Sequence, residues 1–145
     1  GELARCPPGV PVRLVDGRAR EVMAASDGLL VASGTATLEA ALVGCPMVVA
    51  YRFSAATYWL ARILRLVRLQ HFSLPNLLAG EALVPELLQS EASASRLAAE
   101  LGDILRSPGR QQLLAQRFAG LHQQLRRNAS QEAARATLAV AAGDR

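Results

Sequence analysis

An α/β fold built on a parallel sheet, continued by a helical C-terminal extension, is what this 145-residue sequence predicts. Three observations carry that reading. Short apolar runs alternate with helical patterns across residues 12–50. The runs at 29–32 and 47–50 are apolar at successive positions rather than at every second one, which marks strands covered on both faces. After Tyr51 the pattern turns helical and stays so apart from loops. Hydrophobic residues make up 51% of the chain, enough to bury a core without disulfides or metals.

The first run, Val12-Arg13-Leu14-Val15, is read as a strand. A helix over 18–25 follows, then a strand at Leu29-Leu30-Val31-Ala32, a helix over 35–43, and a strand at Met47-Val48-Val49-Ala50. Strands separated by helices of two or three turns indicate βαβ units. Downstream come a helix over 54–67, a loop carrying His71-Phe72-Ser73-Leu74-Pro75-Asn76, and helices over 82–89, 94–106, 109–126 and 130–141. Ser107-Pro108-Gly109 is a clear break. In the last helix Leu138 and Val140 form an apolar stripe.

Residues 1–53 are therefore expected to form a βαβαβ unit, and 54–145 the helical remainder of the same domain. Three strands are fewer than the five or so of a complete nucleotide-binding sheet. The chain also begins without methionine, so an N-terminal part is expected to be missing.

The net charge of +4 comes from arginine alone, since none of the 16 basic residues is lysine. A basic balance favours anionic partners without choosing among phosphate, nucleic acid and an acidic membrane face. Cys6 and Cys45 fit neither a metal spacing nor a disulfide framework, which suits a reducing, cytosolic setting. No apolar stretch reaches the roughly 20 residues of a membrane span, because Arg62, Arg65 and Arg68 interrupt the longest candidate.

Ser33-Gly34-Thr35-Ala36-Thr37-Leu38-Glu39 follows a buried strand and opens a helix. In a parallel sheet that loop lies at the carboxyl ends of the strands, where free backbone N–H groups at a helix N-terminus favour phosphate oxygens. Gly34 lets the backbone approach a ligand closely, and the Ser33 and Thr35 hydroxyls add donors. Ordinary helix capping by Ser33 or Thr35 is the competing reading. Glu39 is not part of a capping box, because the residue three before it is Ala36. It shares a helix face with Thr35, so its carboxylate is placed to accept from ribose hydroxyls or simply to meet the helix dipole.

Three runs carry a resemblance: Ala32-Ser33-Gly34-Thr35-Ala36-Thr37-Leu38-Glu39; then Cys45-Pro46-Met47-Val48-Val49 with Tyr51-Arg52; then Ser73-Leu74-Pro75-Asn76-Leu77-Leu78-Ala79-Gly80. In this order they resemble the C-terminal part of the lipid-A-disaccharide synthase family, with a weaker match through Leu121-His122-Gln123-Gln124-Leu125-Arg126. The resemblance covers roughly residues 18–142.

It implies a partial Rossmann-like sheet from a two-domain transferase of the GT-B type, whose C-terminal half holds UDP-sugar and whose N-terminal half holds the acceptor. The implied reaction moves 2,3-diacylglucosamine from UDP to 2,3-diacylglucosamine 1-phosphate, giving the lipid A disaccharide and UDP. No cofactor or metal is implied. Ser33, Gly34 and Thr35 would meet the diphosphate and Glu39 the ribose. Asn76 would orient the diphosphate or donor sugar, or else cap a helix. The acceptor domain and its acidic general base have no counterpart in this chain.

In the helix over 54–67 and just beyond it, Arg62, Arg65 and Arg68 recur every third residue beside Trp59, Leu60 and Ile63. Such a surface suits peripheral contact with a membrane, which the resemblance implies to be the inner face of the bacterial inner membrane, or a helix packed on the sheet with solvated arginines. His71 is read as a loop residue and His122 as a helix-surface residue. A peptidoglycan-type N-acetylglucosaminyl transferase would share the Gly34 and Glu39 logic, but the run from Ser73 to Gly80 argues against it. A basic helical module for nucleic acid is disfavoured by an aromatic content of 4%. The late helices leave room for a homodimer.

Overall fold

A computed structural model describes residues 9–32, 34–52, 71–126 and 129–141. The expected helix over 54–67 lies outside the described residues, and so do Cys6, Ser33, Trp59, Arg62, Arg65 and Arg68. The described elements are α1 (Ala19–Ala24), β1 (Leu29–Ala32), α2 (Thr35–Leu42), β2 (Met47–Tyr51), α3 (Leu74–Ala79), β3 (Glu86–Leu88), a 3₁₀ turn at Gln89–Glu91, α4 (Ala94–Leu105), α5 (Pro108–Leu125) and α6 (Ala129–Ala141).

The three strands form one parallel sheet in the order β1-β2-β3. Leu29 lies opposite Met47 and Ala32 opposite Ala50. On the other side of β2, Val49 lies opposite Glu86 and Tyr51 opposite Leu88. Successive side chains of a strand point to opposite faces, so the near-complete burial of Met47, Val48 and Val49 means that both faces of β2 are covered. Each such side chain contributes about 1.5–3 kcal/mol. Cover thins at β1, where Leu30 is 52% exposed.

Helix packing completes the core. α2 buries Ala40 and Ala41, whose small side chains allow close approach. α5 buries Leu114, Phe118 and Leu121, spaced four and three residues apart on one stripe. α4 adds Ile104. Ser93 and Ser107 cap α4 and α5 by accepting from the Arg96 and Arg110 amides. Gly28, just before β1, makes room for α4, since a Cβ there would lie 2.9 Å from Leu101 Cδ1.

Among the described residues the sheet has three strands, but not the three expected. Val12-Arg13-Leu14-Val15 is not a strand: the segment has no regular structure and its side chains are exposed, Leu14 at 79%. An apolar run expresses a need for burial, yet a strand also needs a neighbouring edge to pair with. The expected helix over 82–89 is instead a loop leading into β3. Pro85 accounts for this, because inside a helix it costs about 3 kcal/mol; here its carbonyl accepts from the Val49 amide at 2.9 Å. The segment 71–76, expected as a loop, runs into α3, with Pro75 in the first turn, where no N–H is needed.

Candidate functional site

β1 ends at Ala32 and α2 starts at Thr35, with Gly34 between as the N-cap residue. Gly34 has φ 138° and ψ −165°, a conformation essentially reserved for glycine. Its carbonyl accepts from the Thr37 amide at 3.1 Å and from Thr37 Oγ1 at 2.7 Å. Thr37 is fully buried, so this pair fixes the first turn from inside. Gly34 itself has no side chain with which to cap the helix. The amides of Thr35 and Ala36, in the first turn, are left without an intrahelical acceptor, and the helix dipole adds partial positive charge.

Thr35 and Glu39 are both exposed and lie on the same face of α2. Glu39 lines a cavity of about 290 Å³ with Arg20, Leu42, Val43 and His122. Arg52 follows the last residue of β2, so it lies at the carboxyl end of the sheet, the end at which β1 gives way to Gly34. It is exposed and makes no ion pair among the described residues. The Tyr51-Arg52 pair assigns Arg52 no role as a sequence; its place at the carboxyl end of the sheet comes from the parallel strands.

Asn76 sits elsewhere than at this edge's surface. It is buried in α3, its amide donating to the Val84 carbonyl and its oxygen accepting from the Val84 amide, each at 2.9 Å. It does not act as a helix cap; the N-cap residue of α3 is Ser73. One turn away, the Glu86 carboxylate accepts from the Phe72 amide at 3.0 Å and the Ser73 amide at 2.6 Å. These amides, which open α3, are thus satisfied by the protein itself. The Ser73 hydroxyl is fully buried with no hydrogen-bond partner among the described residues. Glu86 carries no sequence signal of this role, because the residues around it read as the helix over 82–89.

At the opposite edge of the sheet, a cavity of about 410 Å³ is lined by Ser26, Asp27, Cys45, Gln111 and neighbours. It lies at the amino ends of β1 and β2, away from where parallel sheets bind ligands. Cys45 is a free, buried thiol bonded to the Ser26 carbonyl. Burial, reinforced by the Asp27 charge, raises its pKa above 9.0. His122 is exposed in the last turn of α5, and His71 is half-buried ahead of α3. Among the described residues no helix is long and apolar enough to cross a membrane.

Comparison with known proteins bears on what this edge serves. The family model described as lipid-A-disaccharide synthetase matches residues 4–137. The chain belongs to the lipid-A-disaccharide synthetase family. Lipid-A-disaccharide synthase of Erwinia tasmaniensis is 53% identical over 129 residues, which are 89% of this chain and 33% of that protein. The Alkalilimnicola ehrlichii synthase is 55% identical over 133 residues, 92% of this chain and 34% of that protein. An Escherichia coli synthase is 49% identical over 138 residues, 95% of this chain and 36% of that protein. The chain thus spans about a third of the length of these lipid-A-disaccharide synthases. The three runs that carried the resemblance fall on the β1–α2 junction, on β2 with its exit, and on α3.

Proposed function

We propose that this chain carries the donor site of a GT-B glycosyltransferase, binding UDP-2,3-diacylglucosamine at the carboxyl edge of a Rossmann-like sheet. The observation that supports it most is the glycine-only turn at Gly34, which opens α2 with uncapped amides and sets Glu39 one turn beyond. Backbone amides and the hydroxyls of Ser33 and Thr35 bind the diphosphate. The Glu39 carboxylate accepts from the ribose hydroxyls. Arg52 adds a cation at the same edge. Asn76 serves the site indirectly, by bracing the loop that leads into α3.

Residues 1–53 and 54–145 then form parts of one donor domain, and the acceptor domain lies in the portion of the parent enzyme that this chain does not span. The parent transfers the diacylated sugar to 2,3-diacylglucosamine 1-phosphate and releases UDP, with its acidic base on the acceptor side. The names of the relatives, all lipid-A-disaccharide synthases, support that reaction. Acylated substrates place the enzyme on the cytoplasmic face of the inner membrane, with Trp59, Arg62, Arg65 and Arg68 toward the lipid and a homodimer as its assembly.

Calorimetric titration of the full-length enzyme with UDP and with CMP, before and after Glu39→Ala, tests the donor site. UDP-selective binding, weakened at least tenfold by the substitution, is expected. Glu39 is exposed, so the variant should fold normally. Equal UDP affinity in both proteins rejects the assignment of Glu39.

A further inference from the structure

We infer that Gln89 reads the sugar of the donor, a role resting on the donor-site reading above. Gln89 is the one non-glycine residue with a positive φ among those described, at 50°. A left-handed backbone costs a side-chain-bearing residue on the order of 1 kcal/mol or more, and glycine would relieve that cost. Gln89 follows β3 directly, so it stands on the same carboxyl edge as Gly34. With β1 and β3 flanking β2 and adjacent strands about 4.8 Å apart, the two positions are separated by roughly 10 Å across the edge. That span matches the step from a diphosphate to the far side of the hexose attached to it.

A strained residue persists where something other than backbone stability keeps it, and strain of this kind gathers at ligand sites. The primary amide of glutamine has two N–H donors and two acceptor lone pairs. It can be steadied by the protein and still offer both a donor and an acceptor to a sugar hydroxyl or to the amide of an N-acylated sugar. Half-burial limits its motion, which suits a group that discriminates rather than merely attracts.

The test uses the full-length enzyme, with UDP and UDP-N-acetylglucosamine as calorimetric probes and thermal unfolding as control. In Gln89→Gly, relief of the left-handed backbone offsets the loss of the side chain's contacts within the protein, so Tm is expected to change little. UDP affinity should stay within about twofold, while UDP-N-acetylglucosamine affinity falls tenfold or more. Gln89→Asn, with a shorter amide, should show the same selective loss. Unchanged sugar-nucleotide affinity in Gln89→Gly overturns the inference. So does a parallel loss of both ligands with a lowered Tm, which would make Gln89 a builder of the edge. Failure of the unsubstituted enzyme to bind UDP would instead strike the donor-site reading itself.

Discussion

The Asn76 side chain is bonded twice to the backbone of Val84, donating to its carbonyl and accepting from its amide at 2.9 Å each. Both residues are almost wholly buried. This bridge ties α3 to the approach of β3 across an eight-residue gap, and so sets the height at which the Glu86 carboxylate meets the Phe72 and Ser73 amides.

Removing the amide strands two buried backbone groups. Each unsatisfied group costs about 1–3 kcal/mol, so Asn76→Ala is expected to lower stability by about 2–4 kcal/mol. Asn76→Asp sets a buried carboxyl oxygen against the Val84 carbonyl in place of the donor, and should cost at least as much as Asn76→Ala. Urea unfolding of the three proteins checks the order; equal midpoints would mean the bridge adds nothing.

Glu86 should behave as a loop anchor. Its carboxyl oxygens accept from two neighbouring amides, and Glu86→Gln leaves a single weaker acceptor oxygen. A loss of about 1–2 kcal/mol is expected. Amide hydrogen exchange at Phe72 and Ser73 should quicken selectively, and unaltered protection there would contradict the anchor.

Gly34 separates backbone from bulk. A Cβ at this position meets nothing within 4 Å among the described residues, so Gly34→Ala introduces no clash with them and its penalty is conformational. About 1–3 kcal/mol of stability is expected to be lost, or the turn to relax away from its present φ. Either way the α2 amides are displaced, and UDP affinity should fall by more than in Thr35→Ala, which removes only a hydroxyl. Paired titrations decide between them.

The sheet and site were legible to different depths. β1 and β2 could be read because Leu29-Leu30-Val31-Ala32 and Met47-Val48-Val49-Ala50 are continuously apolar, a signal of burial that needs no knowledge of partners. β3 could not, since Glu86-Leu87-Leu88 is too short to show a period and begins with a charge; only Pro85 spoke against a helix. The glycine turn at Gly34 and the shared helix face of Thr35 and Glu39 were legible because their logic is local, a turn and one helical repeat. The partner of Asn76 was not, because a side chain that bonds the backbone of Val84 is chosen by tertiary packing. The positive φ of Gln89 leaves no trace in composition at all.

Cys45 gives a last expectation, tied to pH. Its folded-state pKa is raised first by burial and then by the Asp27 charge, so the thiol stays protonated in the folded chain after it would ionise in the unfolded one. Protons bound in excess by the folded state stabilise it, and the sign follows. This contribution is fully present below the ordinary value of 9.0 and is lost as pH rises through the higher folded value. Unfolding free energy should therefore decline more steeply above about pH 9 in the native protein than in Cys45→Ala. Cys6 is common to both proteins and cancels. Denaturant curves from pH 7 to 10 supply the comparison, and parallel declines would show that the thiol ionises as freely when folded as when unfolded. Below pH 8, the same burial predicts slow alkylation of Cys45 until the chain unfolds, because the thiolate is the reactive form.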